Sequence, residues 1–234
     1  MHKLNILFTL SSLSVILVTI ERFSFTTKVL LQPYNFLRLH EVIQMTLFIL
    51  LTVLIPFFIL YVISDSFSLF SKKKYVWLPT LFLIGIYFYS TGNGVHEMAS
   101  YTLNQYCNVK ALSGIFCNGQ FFNDYYTGNI FYFAGGIFMV LALLFTEKVF
   151  PNKTYSKSDI AITIINAVVY AFAIFAYSAF DPVLVGLIYS LIIMVVADVL
   201  WFVYRKKYLA YPVIFYTALT YSVGTVAALL VRFH

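Results

Sequence analysis

A chain of 234 residues that is 62% apolar and only 10% charged lacks the polar surface needed to coat a globule, since soluble domains carry about 25% charged residues. Its formal net charge of +6 suggests nucleic acid at first sight. The cations, however, lie beside long apolar runs, where membrane topology accounts for them better. Composition thus excludes an ordinary soluble domain and a nucleic-acid binder. It leaves an all-α integral membrane protein, one polytopic domain over residues 1–234, whose partner is the lipid bilayer of a cell membrane, most simply a bacterial inner membrane.

Seven apolar runs set the expected architecture, because about 20 apolar residues are needed to carry a helix across the hydrocarbon layer. In chain order they are Leu4–Ile20, Val42–Ile63, Tyr75–Val95, Asp124–Thr146, Ile160–Phe180, Pro182–Tyr204 and Pro212–Val231. The first follows Lys3 as a signal peptide would, but no small-x-small cleavage site follows it. Ile20-Glu21-Arg22-Phe23 reads as a stop, and the run counts as a helix. Pro56 falls deep in the second run and should bend it, while Pro79 and Pro182 suit first helical turns. Gly135-Gly136 offers a small-residue face for close helix packing.

Cations set the orientation. One side of a seven-helix arrangement receives ten Lys and Arg: Lys3, Lys72–Lys74, Lys148, Lys153, Lys157 and Arg205–Lys207. The other receives five: Arg22, Lys28, Arg38, Lys110 and Arg232. The N-terminus is therefore expected in the cytoplasm and the C-terminus outside. On that reading the Asn152-Lys153-Thr154 sequon faces the cytoplasm and stays unmodified.

The third and fourth runs are joined by the longest connection, an outer loop over 96–123. If the third helix continues past Gly94, then Asn93, His96, Glu97 and Ser100 share one face. Asp124 is expected to open the fourth helix at the same depth, His40 and Glu41 to precede the second, and Asp181 to cap the fifth. Six ionisable residues from four helix ends thus meet in one layer: His40, Glu41, His96, Glu97, Asp124 and Asp181.

Three chemical readings stand beside one another. In the first these groups are solvated loop residues and helix caps. In the second His40, His96 and Asp124 ligate a divalent metal such as zinc, with Glu97 as general base, in a hydrolase acting on a lipid or lipid-linked substrate. No HExxH spacing accompanies that reading, because position 100 is Ser. In the third they form an outward-facing vestibule for a small solute or ion, as in a transporter. Asn93, Asn129, Asn166, Asp181, Ser178 and Ser190 then extend a polar path inward.

Cys107 and Cys117, the two cysteines of the chain, share the outer loop and are expected to form a structural disulfide. Asp198 is the one carboxylate well inside a run. It reads either as an ion pair with Arg205 or Lys206 near the boundary, or as a protonatable member of the path. The count and the inward N-terminus invite comparison with the adiponectin-receptor and alkaline-ceramidase hydrolases. Their paired histidines in the last helix have no counterpart in Pro212-Val-Ile-Phe-Tyr-Thr-Ala-Leu-Thr-Tyr. A retinal protein is excluded likewise, for want of a lysine in that helix.

Overall fold

The chain is helical over 84% of its length, without strands among the described residues, in a computed structural model that describes residues 3–152 and 155–234. Lys153 and Thr154 of the sequon lie outside the described residues. The long helices are α1 (Lys3–Arg22), α2 (Leu39–Ile63), α3 (Trp77–Tyr106), α4 (Gly114–Val149), α5 (Lys157–Phe180), α6 (Val185–Tyr204) and α7 (Pro212–Phe233). Six of these, all but α3, are long and apolar enough to cross a membrane. The protein is accordingly a multi-pass membrane protein.

Leu83, Ile165, Phe172, Val199 and Phe202 are exposed on the outside of the bundle. In water such a surface would aggregate, whereas against acyl chains it costs nothing. The inward-facing residues, among them Leu4, Phe8, Leu60, Phe82, Ile174 and Ile193, are buried against one another.

Consecutive helices run antiparallel. One end of the bundle carries the Lys72–Lys74 and Arg205–Lys207 connections and is termed the lysine-rich end. The other carries the 23–38 connection and Cys107–Cys117 and is termed the disulfide end. Three devices hold the bundle together. First, α3 and α4 touch backbone to backbone: a Cβ at Gly92 would lie 2.1 Å from Tyr132 N, and one at Gly135 2.2 Å from Tyr89 N. Gly85 and Gly92 on one helix thus face Gly135 and Gly128 on the other, in the close approach that small residues permit. The packing expected of Gly135 is therefore present, with Gly136 facing Tyr189 instead.

Second, α1 and α5 share a polar seam. Asn5 donates to Asp159 Oδ1 (2.8 Å), Asn166 donates to Thr9 Oγ1 (3.0 Å) and Ser12 donates to the Asn166 carbonyl (3.1 Å). Third, the buried Glu147 caps α7, its two oxygens accepting from Val213 N (2.9 Å) and Ile214 N (2.7 Å). That carboxylate meets the free N–H groups and the positive end of a helix where no water can.

Several expectations are corrected. The long outer loop does not exist as drawn: α3 continues to Tyr106 and α4 begins at Gly114. Asp124 therefore opens no helix but lies inside α4, in a π turn over Asn123–Gly128. Pro182 precedes the first turn of α6, which starts at Val185. Asp198 accepts from Ser222 of α7 (2.9 Å), while Arg205 stacks over Phe202, so the expected ion pair is not formed. The Cys107–Cys117 bridge is present and closes the short turn between α3 and α4. Pro79 does fall in the first turn of α3, and Asp181 does cap α5.

Candidate functional site

The site grows from four helix ends at the disulfide end. The 23–38 connection leaves α1 through a 3₁₀ turn capped by Ser24 and closes on itself where Leu30 bridges Arg38. It rests on the outer part of α3: Tyr101 Oη donates to the Asn35 carbonyl (3.0 Å), and the Arg38 guanidinium lies 5.3 Å above the Tyr101 ring. Arg38 then starts α2 as the N-terminal cap, its backbone N–H donating to Glu41 Oε2 (3.1 Å) and its Nε to Oε1 (2.8 Å).

Two π turns shape the interior at this level. Each wedges an extra residue into a regular helix and re-aims its side chains, which is why such turns gather at functional sites. The turn over Gln44–Phe48 in α2 directs Gln44 Nε2 to Glu21 Oε2 (2.8 Å). Glu21 also receives His40 Nδ1 (2.7 Å) and the Thr26 hydroxyl. The turn over Asn123–Gly128 in α4 places Asp124 Oδ1 2.7 Å from His96 Nδ1, in ion-pair contact.

Glu97 sits between these groups, within electrostatic reach of His96, Arg22, His40 and Glu41. Among the described residues no hydrogen bond is made to its carboxyl. One turn away, the buried Asn93 Nδ2 has no hydrogen-bond partner. Asn129 Nδ2 donates to Asp181 Oδ2 (3.1 Å), and Arg232 donates to the Ser178 and Asp181 carbonyls (2.7 Å each), closing the end of α5. Burial raises the Asp181 carboxyl above the usual carboxylate range, and the Val183 N–H, His96 and Arg232 draw it part of the way back.

Glu21, Glu41, Glu97 and Asp124 are only 1–8% exposed. Glu41, Glu97 and Asp124 are therefore not solvated as the first reading has it, although Glu41 does cap α2 and Asp181 does cap α5. Glu97 lies within electrostatic reach of His96, His40, Glu41 and Arg22, and Asp181 of His96 and Asp124, while Glu21, read from the sequence with Arg22 as a stop signal, pairs with His40. Of the prospective metal ligands, His96 and Asp124 come together, whereas His40 faces Glu21 instead. Among the described residues no group of three or more His, Cys, Asp and Glu is placed to hold a metal ion. Asp198 belongs to a separate contact with Ser222, away from this layer.

An open groove of about 420 Å³ runs between α3 and α4 beside the layer, lined by Gly94, Met98, Thr102, Gln120 and Asn123 among others. Comparison with protein-family models, curated proteins and solved structures finds no match.

Proposed function

We propose that this chain is a seven-span membrane protein, N-terminus in the cytoplasm and C-terminus outside, that binds a small cation at its outer acid–histidine layer in exchange for protons. The seventh span is α3. Its apolar run is diluted by Gly85, Ser90, Thr91, Gly92 and Asn93, residues that suit a helix packed against α4 more than one facing lipid. The distribution of lysine supports the orientation.

The observation that carries the binding proposal is the charge of the buried layer. Four buried carboxylates (Glu21, Glu41, Glu97, Asp124) and the half-buried Asp181 gather here: Arg38 pairs with Glu41, the exposed Arg22 lies within electrostatic reach of Glu97 and Arg232 within reach of Asp181, while His40 meets Glu21 and His96 meets Asp124. With both histidines neutral two carboxylates exceed the guanidiniums; with both protonated the balance closes. Buried charge must be compensated, so protons on the histidines and a bound cation are alternative ways to neutralise the same layer. The π turns and the unpartnered Asn93 amide mark the layer as built for more than packing. No observation favours metal-activated hydrolysis with Glu97 as base, because the histidines sit in separate pairs.

Thermal unfolding of the detergent-purified protein, with Na⁺, K⁺, Mg²⁺ or Zn²⁺ added from acidic to neutral pH, tests the reading. Stabilisation by one cation should fade as pH drops and vanish in Glu97→Gln. A protein indifferent to all four at every pH overturns it.

A further inference from the structure

Seven tyrosines turn their rings into the middle of the bundle: Tyr89 of α3, Tyr132 of α4, Tyr170 and Tyr177 of α5, Tyr189 of α6, and Tyr216 and Tyr221 of α7. Tyr170 is their hub, since each of the other six lies within electrostatic reach of it. Some hydroxyls pair: Tyr89 with Tyr132 at 2.7 Å, and Tyr189 with Tyr221. Others do not. The hydroxyls of Tyr177 and Tyr216 are buried and lack a hydrogen-bond partner, although Tyr221 and Thr220 stand close to them.

Phenylalanine would fill this space without the cost of burying a hydroxyl. The chain uses phenylalanine freely, with 25 in all, yet here it gathers tyrosines from five helices. Their order along the bundle is also telling. Tyr132 is within electrostatic reach of Glu97 and Arg22 in the outer layer, Tyr89, Tyr170 and Tyr221 follow near the middle of their helices, and Tyr216 lies about one turn from the lysine-rich start of α7.

We infer that these hydroxyls form a hydrated internal file, waters bridging Tyr177, Tyr170 and Tyr216, along which protons pass between Glu97 and the lysine-rich end. A hydroxyl donates one hydrogen bond and accepts others, so a chain of hydroxyls and waters relays a proton by successive hops: each oxygen takes one proton and releases another, and no tyrosine is left ionised. Buried water needs polar partners, and the two unpartnered hydroxyls supply them. The use of the file rests on the proton exchange proposed above; its hydration does not.

Radiolytic hydroxyl-radical labelling of the protein in lipid nanodiscs decides the hydration, because it modifies side chains that touch ordered water. Tyr170, Tyr177 and Tyr216 should be modified several-fold faster than Tyr87, which is 67% exposed on the lipid-facing surface. Tyr170→Phe and Tyr216→Phe, both conservative enough to keep the fold, should lower labelling of the remaining file. Proton uptake by proteoliposomes, read with an entrapped pH dye, should fall several-fold in Tyr170→Phe. Labelling of the buried tyrosines no faster than that of Tyr87 overturns the file whatever the cation experiment shows. Clear labelling with uptake unchanged in Tyr170→Phe overturns the relay and leaves the cation site standing.

Discussion

The two ends of the bundle handle charge in opposite ways. At the disulfide end carboxylates, histidines and arginines are folded inward onto one another, as in Glu21 with His40, Arg38 with Glu41, and Asp124 with His96. At the lysine-rich end, no described Lys or Arg forms a salt bridge. Lys74, Lys148 and Arg205 instead lie over the rings of Tyr75, Phe145 and Phe202. Cations of that kind cover apolar surface with their stems and leave their heads to water and lipid phosphate. One end therefore turns its charges into internal geometry, and the other leaves them on the surface.

The sharpest way to break this contrast is Glu147, a fully buried acid at the lysine-rich end. Glu147→Ala leaves the Val213 and Ile214 N–H groups buried and unpaired, at a cost of about 3 kcal/mol. Denaturant unfolding in mild detergent reads it, and Glu147→Gln, which keeps one acceptor, should lose less. Next comes Glu21→Ala at the disulfide end. It strips His40, Gln44 and Thr26 of their shared acceptor and should cost about 2 kcal/mol, since the partly exposed His40 can be resolvated. Equal losses in the two variants would erase the difference between the fully buried Glu147 and the less deeply buried Glu21.

Much of this contrast could be read from residue types. The apolar runs located the helices because lipid leaves the backbone no other partner, and the placement of Lys72–Lys74 and Arg205–Lys207 separated the ends. The Cys107–Cys117 bridge was visible in the isolation of its two cysteines. What failed was the placing of helix ends. His96 and Glu97 were expected at the start of the outer loop, unless the third helix continued past Gly94, and Asp124 in the first turn of the fourth helix, whereas all three are interior residues of α3 and α4, and His96 and Asp124 meet across the gap between those helices. A π turn leaves no residue signature, so the re-aiming of Gln44 and Asp124 could not be foreseen. Glu147 gave no sign either, because its partners are backbone N–H groups. The pairing of α3 with α4 did leave a signal that was passed over: Gly85 and Gly92 are seven residues apart, as are Gly128 and Gly135.

Smaller effects sharpen the comparison from the other side. Replacing Lys72, Lys73 and Lys74 together by Gln should change unfolding free energy by less than about 0.5 kcal/mol, as expected of exposed charges without carboxylate partners. The same change should disturb orientation, read by cysteine-accessibility labelling of the 64–76 connection in intact cells. A marked loss of stability would mean that these lysines have internal partners after all.

Asp181 should show the smallest effect, in the slope of stability against pH. Burial lifts its carboxyl above the unfolded value, so the fold disfavours its ionised form. The stability associated with its protonated form is fully present below the unfolded pKa and is lost as pH rises through the folded one. The group is only half-buried, so solvent screens most of the difference. Between about pH 4 and pH 7 the wild type should therefore lose slightly more stability than Asp181→Asn, a difference read from unfolding midpoints in matched buffers. Parallel curves for the two proteins would show that the Val183 N–H and the nearby His96 and Arg232 offset burial completely. Asp181 would then resemble the exposed charges of the lysine-rich end more than the acids packed around Glu97.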